Sequence, residues 1–401
     1  MRGLVLEGGG VKGAFHIGAL TALFEHGYEF DGYVGTSIGA VNAAMLAQGD
    51  WQKTIEMWDN ITMTTVLAFD DENMIRILNR EIDKNILMGL GKTLKNLGGL
   101  IDRSTEQLHK FLASYIDESA VRRSNKDFGL VTFSVPDFNV HYLMKEDIPV
   151  GQLCDYVIAS ASYPLFRWQQ ISGNDGKRFI DGGVYDNMPV KLLVAKGYDD
   201  IIIIRTSSRK PRRKIEVKDG VNMRYVIPSE KMAYALEFTQ DNVKNYMKMG
   251  YYDTKRLLLD MPSFKYCVIC PSHDDFYRFM LNINEESFPP IMDDLGLKIH
   301  KYLHSNIEDI CDTVKLELAL DKDTSDCKAF VAFLEEFALA LGLERYAIYT
   351  IDDFFNLIMQ TAKAKAETFK NLDTALKKGI EIKPLLRKIF VSLYKHYPFN
   401  E

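Results

Sequence analysis

Three clusters in this 401-residue chain hold residue types that could do chemistry, and the first is Gly35-Thr36-Ser37-Ile38-Gly39. A serine between a strand and a helix, with glycine two before and two after, can sit on a strained turn with its hydroxyl exposed. Side chains at the flanking positions would strike the crossing backbone. The helix that follows points its N-terminus at the serine and favours negative charge there. The plainer reading is an ordinary strand-to-helix loop.

The second cluster, Gly8-Gly9-Gly10-Val11-Lys12-Gly13, follows the first strand and opens the first helix. Its backbone N–H groups can converge on an anion. Gly8, Gly10 and Gly13 match G-x-G-x-x-G, so a dinucleotide pyrophosphate is one candidate, and with it a nucleotide-binding α/β oxidoreductase. The other is the oxyanion of an acyl-transfer intermediate. A dinucleotide site also calls for an acidic residue about 20 positions on, closing the second strand. Asp31 is at a similar distance but precedes Gly32-Tyr33-Val34. A serine elbow one unit later favours the oxyanion.

The third cluster is Phe179-Ile180-Asp181-Gly182-Gly183. A carboxylate at a strand's end followed by two glycines is held while the chain turns away; alone, Asp-Gly-Gly is simply a good turn. A serine hydroxyl needs a base, however. None of the eight histidines lies in a catalytic-loop context: His16 is inside a helix, and His300 with His304 read as a solvated helical face.

Each cluster should follow a strand, and the pattern supplies candidates. Leu4–Leu6 and Phe30–Val34 read as strands, Ala14–His26 and Ile38–Leu46 as helices, giving the βαβ signature of a parallel sheet. Leu130–Val135 and Val140–Met144 read as a hairpin around Pro136-Asp137-Phe138-Asn139. A helix over Val150–Ser160, a strand at Arg178–Ile180, a helix over Val190–Lys196 and a strand at Ile201–Ile204 follow. Lys231–Leu259 reads as a long helix and Phe264–Cys270 as a strand. Beyond Asp293 the pattern is helical except at Tyr346–Ile351; Phe330, Phe333, Leu334 and Phe337 share one face, Phe354, Leu357 and Ile358 another.

Composition sets the background. Hydrophobic residues at 47% and a formal charge of −6 describe a globular chain and argue against a surface devoted to nucleic acid. Five thinly spread cysteines do not make a disulfide framework, and Cys267-Val268-Ile269-Cys270 reads as buried strand; a reducing, cytoplasmic setting is expected. No secretory h-region of about 7–15 residues is seen. No run reaches the roughly 18 uncharged apolar residues of a membrane span. Residues 86–100 read either as a core helix pair with glycine turns or as a cap that meets lipid. The run Arg209-Lys210-Pro211-Arg212-Arg213-Lys214 reads as a solvated loop or as a holder of anionic headgroups.

Together the three ordered motifs resemble the patatin-like phospholipase family. Ala159-Ser160-Ala161-Ser162-Tyr163-Pro164 is similar to the block before that family's catalytic aspartate, and Val184-Tyr185-Asp186-Asn187-Met188-Pro189 to the block after it. The resemblance implies a three-layer α/β/α sandwich with a mostly parallel central sheet over residues 1–290. Residues 51–125 would be a helical insertion, and 291–401 a separate C-terminal helical domain. It implies a Ser37–Asp181 dyad without histidine, an oxyanion hole drawn from Gly8, Gly9, Gly10, Val11, Lys12 and Gly13, and an elbow formed by Gly35 and Gly39. Lipid or ester substrates and transient membrane-surface contact are implied, with no metal, cofactor or nucleic-acid partner. Lys12 stands where the family often has arginine; lysine lacks the planar fork.

Overall fold

The computed structural model describes residues 1–66, 106–162, 169, 171, 176–209, 220–261, 265–283, 285–369, 371–372, 376, 382–397 and 399. The stretch 86–100, most of the basic run after Arg209, and Tyr163-Pro164 lie outside the described residues. Two compact units divide the chain, Met1–Thr254 and Lys255–Glu401.

The first unit is built on a seven-stranded sheet in the order β4-β3-β2-β1-β6-β7, with β5 also paired to β3. Its strands are β1 (Arg2–Leu6), β2 (Gly32–Thr36), β3 (Asp127–Val135), β4 (Asn139–Met144), β5 (Arg178–Asp181), β6 (Asp200–Ile204) and β7 (Asn222–Val226). β1, β2, β3, β6 and β7 run parallel, while β4 and β5 are antiparallel to β3. The helices used below are α1 (Ala14–Glu25), α2 (Ile38–Ala47), α3 (Trp51–Asn60), α4 (Glu118–Arg123), α5 (Leu153–Ala161), α6 (Val190–Ala195) and α7 (Gln240–Leu258).

Glycines show which helix covers which face. Val5, Val34, Val131, Ile201 and Ile203 form one cluster with Val190, Leu192 and Leu193 of α6. The next residue along β2, Gly35, faces the other way, and a Cβ there would fall on the backbone of Gly39 in α2. β1 and β2 are therefore buried on both faces, as the central strands of a parallel sheet must be. This is the three-layer sandwich expected from the sequence. α7 packs equally closely on α1, since a Cβ on Gly18 would fall on the Met247 carbonyl and one on Gly250 on the Phe15 carbonyl.

Within the first unit the sequence pattern and the structure differ over two segments. Asn222–Val226, to which the sequence pattern assigns no element, is a strand paired in parallel with β6. The helix begun at Lys231 starts only at Gln240. Residues 231–239 spend their backbone groups elsewhere: Ala233 N–H donates to the Tyr246 hydroxyl (2.7 Å), and the Ala235 carbonyl accepts from Val11 N–H (2.8 Å). The two compact units meet in sequence at 254/255. Tyr266, Val268, Phe276, Phe279 and Ile283 join the core of the second unit, which the short run of local strand and helix signals does not reveal.

That second unit comprises β8 (Cys267–Ile269), α8 (His273–Ile283), α9 (Phe288–Leu295), α10 (Leu303–Leu318), α11 (Asp326–Leu341), β9 (Ile348–Thr350), α12 (Ile351–Phe369) and α13 (Pro384–His396). β8 and β9 pair in parallel, so Tyr346–Ile351 does hold a strand. Phe330, Phe333 and Phe337 line the core of this unit, where Phe337 stacks on Phe390 at 3.9 Å between centroids. Phe354 and Ile358 are buried, but Leu357 is exposed. Cys270 and Cys327 are joined as a disulfide across 57 residues, a single bridge where the cysteine spacing suggested none. Spacing alone carries no pairing information. Among the described residues no helix is long and apolar enough to cross a membrane.

Overpacking at the α1–α7 contact leaves no soft neighbour to move, because the obstruction is backbone. Gly250→Ala should lower the stability of the first unit by about 1–3 kcal/mol, read as a shifted urea midpoint; an unchanged midpoint would contradict the close approach.

Candidate active site

β2 ends at Thr36 and α2 begins at Ile38, leaving Ser37 alone at the turn with φ 58° and ψ −130°. A side-chain-bearing residue in the positive-φ half of the map costs about 1–3 kcal/mol, so the neighbours must enforce it. Gly35 and Gly39 permit it: a Cβ on Gly39 would fall on the Leu6 carbonyl. Ser160, at the end of α5, fixes the turn from beside it. Its hydroxyl accepts from Ser37 N–H (3.1 Å) and donates to the Val131 carbonyl (2.7 Å). The Ser37 amide is thereby engaged, while its side chain is left half-exposed.

Asp181 is the last residue of β5 and sits opposite Thr132 of β3. Its N–H donates to the Ser162 carbonyl (2.9 Å), and the Thr132 hydroxyl donates to the Ile180 carbonyl (2.8 Å). The end of α5 thus holds the backbone of both Ser37 and Asp181. The Asp181 carboxylate, 4% exposed, is hydrogen-bonded to the Ser37 side chain and accepts from Gly183 N–H (2.7 Å). Burial drives its pKa up to about 6, and the two hydrogen bonds pull only partly back. An ordinary aspartate is a poor proton acceptor for a hydroxyl, and burial makes this one stronger.

The glycine loop closes the site. A Cβ on Gly8 would lie 3.0 Å from the Ser37 Cβ, so the loop passes directly over the serine. Gly8 N–H donates to the Asn187 carbonyl (3.3 Å), Val11 N–H to Ala235 (2.8 Å) and Lys12 N–H to Gly9 (3.3 Å). Gly13 lies at the end of the short 3-10 turn Gly10–Gly13, where a Cβ would meet Ile38 at 2.6 Å and Trp58 at 2.9 Å. Gly9 and Gly10 N–H have no acceptor among the described residues. Lys12 is half-buried, and burial lowers its pKa, with Arg209 and Lys231 adding to the lowering and Glu7 opposing it. Beneath the loop Glu7 and Arg205 form a buried ion pair, Nε to Oε2 3.4 Å.

Two rival arrangements find no support in this geometry. Asp31 accepts from Arg2 N–H (3.0 Å), at the end of the sheet opposite the glycine loop, so it cannot reach a ribose whose phosphates sit on that loop. His16 is buried within α1 against Asn42 (3.2 Å), and burial lowers its pKa to about 3. His300 pairs with Asp309 and His304 with Glu308 in the second unit. Among the described residues no histidine bonds to Ser37 or Asp181.

Sequence reasoning assigned no role to Ser160 or Asn187, although both lie in blocks it singled out. Thr206 and Ala235 carry no local signal at all; they reach the loop only through the fold.

Residues 4–194 match the family model of the patatin-like phospholipases. Over 237 residues the chain is 27% identical to the lysophospholipase NTE1 of Eremothecium gossypii, covering 56% of this chain and 13% of that protein. It is 28% identical over 209 residues to the uncharacterized protein YjjU of Escherichia coli, covering 51% of each. Superposition on the crystal structure of VipD from Legionella pneumophila covers 98% of this chain and 90% of that one, at TM-score 0.41 and 15% identity.

The raised pKa of Asp181 has a consequence for stability. A carboxyl that binds its proton more tightly when folded adds stability below its ordinary pKa of 3.8, and that contribution is lost as pH rises through about 6. Asp181→Asn removes the buried charge, so at pH 8 it should stabilise the protein by up to about 3 kcal/mol, taking about 1.36 kcal/mol per pKa unit. The gain should vanish towards pH 4; thermal melts of both proteins at the two pH values check this, and an equal shift at both would contradict it.

Proposed function

We propose that this chain, whose residues 4–194 match the patatin-like phospholipases, is a serine acyl hydrolase that cleaves acyl esters of lipids. The observation that carries the reading is the Ser37 hydroxyl hydrogen-bonded to a buried Asp181, whose pKa burial raises to about 6, beneath a loop with two unengaged amides. The preference for lipid esters rests on the family match and on relatives named as lysophospholipases. The chain spans only 11% to 51% of the curated relatives' length, so their activity is carried over as part of the proposal.

In this reading Asp181 takes the proton from the Ser37 hydroxyl as Oγ attacks the ester carbonyl carbon. Negative charge develops on the former carbonyl oxygen, which Gly9 and Gly10 N–H receive. The tetrahedral intermediate collapses, the C–O bond to the leaving alcohol breaks, and the proton held by Asp181 passes to that alcohol. Asp181 then takes a proton from the water that attacks acyl-Ser37. The second tetrahedral intermediate collapses, the bond from the acyl carbon to Oγ breaks, the proton on Asp181 returns to Oγ, and the carboxylic acid departs. Removing one such amide from a site of this kind costs about 2.7–4 kcal/mol, comparable with the loss of a catalytic base. The proposed reaction calls on no metal or cofactor.

A fluorophosphonate ester that reacts only with an activated serine tests the assignment. Wild type should be labelled, Ser37→Ala should not, and Asp181→Asn should label about 10²- to 10⁴-fold more slowly. Labelling that persists without Ser37 would sink the proposal.

A further inference from the structure

A trans peptide is planar, so the C=O of one residue and the N–H of the next point in opposite directions. Whatever holds the Gly8 carbonyl therefore also aims the Gly9 amide. Two side chains hold that carbonyl: the Thr206 hydroxyl donates to it at 2.6 Å and the Asn187 side-chain amide at 3.1 Å. Neither residue touches Ser37 or Asp181 through a hydrogen bond, and both come from elements remote in sequence.

We infer that Thr206 and Asn187 are positioning residues that lock the Gly8–Gly9 peptide so that Gly9 N–H faces the reacting centre. The inference rests on the proposed acyl-transfer reading. Three features make the lock rigid. Asn187 grips Gly8 at both ends, since its own backbone carbonyl accepts from Gly8 N–H (3.3 Å). Thr206 is 4% exposed, and its N–H donates to the Glu7 carboxylate (2.7 Å), which is itself paired with buried Arg205. Both side chains also fill the space beside the peptide: a Cβ on Gly9 would lie 2.6 Å from the Thr206 hydroxyl, and one on Gly8 would fall on the Asn187 amide oxygen.

With glycine on both sides the peptide has little intrinsic preference for one orientation. Without the two donors, a flip would carry Gly9 N–H away from the site and bring the Gly8 carbonyl oxygen towards the developing oxyanion, a repulsive contact. The ion pair Glu7–Arg205 is tied to this lock through the Thr206 amide, which donates to the Glu7 carboxylate.

The test compares wild type with Thr206→Val, which keeps the shape and removes the donor, Thr206→Ser, which restores it, and Asn187→Leu. Each is assayed for kcat and KM on a p-nitrophenyl ester and for inhibition by a trifluoromethyl ketone, whose adduct with Ser37 bears an oxyanion. Thr206→Val and Asn187→Leu should lower kcat by about 10- to 100-fold, weaken the ketone in the same proportion and leave KM within about twofold. Thr206→Ser should stay within about threefold of wild type on both readouts. Melting curves identify a variant that has merely unfolded, and then the remaining donor variant decides. Folded Thr206→Val or Asn187→Leu with undiminished kcat, or with kcat lowered while the ketone binds as before, would overturn the inference. A wild type that neither turns over the ester nor binds the ketone would overturn the acyl-transfer reading and this inference with it.

Discussion

The hydrogen bond between the Ser37 hydroxyl and the Asp181 carboxylate is the contact on which the proposed chemistry depends. It joins residues 144 positions apart, since 181 − 37 = 144, and neither partner is comfortable alone. Ser37 sits at φ 58°, and Asp181 keeps an acid group out of water. Each unfavourable state is imposed by packing that leaves no alternative: glycine-only crossings under Ser37 and a strand paired on β3 behind Asp181. The same burial that makes the carboxylate costly makes it basic.

The parallel sheet explains why the groups meet where they do. β1 and β2 run side by side, so the loops at their C-terminal ends, Gly8–Gly13 and Ser37, are neighbours without any further device. β5 runs antiparallel to β3 and delivers Asp181 to that edge at the height of Thr132. Ligand sites of open α/β sheets lie at this carboxyl-end edge, where helix N-termini and loop amides collect. α5 ties the two sides together, one serine side chain gripping the elbow and the next serine's carbonyl gripping the aspartate strand.

The parallel sheet and the elbow glycines were legible because each depends on local rules, whereas the three-layer sandwich and the pairing of Ser37 with Asp181 were expected only from the resemblance to a family. Alternation of apolar strands with alanine-rich helices marks a parallel sheet, and glycine at fixed offsets marks a backbone crossing. What was not legible depends on contacts between distant residues. Six loop positions look alike as amide donors in the sequence, but the Ala235 and Asn187 carbonyls take two of them, and only the fold shows which remain. Residues 231–239 carry a helical pattern, yet their backbone is drawn to Tyr246 and Val11 instead. The β7 edge and the Cys270–Cys327 bridge were invisible for the same reason.

The most direct measurement is the pH dependence of the pre-steady-state burst that reports acylation of Ser37. If Asp181 is the base, the burst rate should rise with pH along a single ionisation with a midpoint near 6 and should be lost in Asp181→Asn. A burst whose rate ignores Asp181, or disappears only when a histidine is replaced, would contradict the dyad.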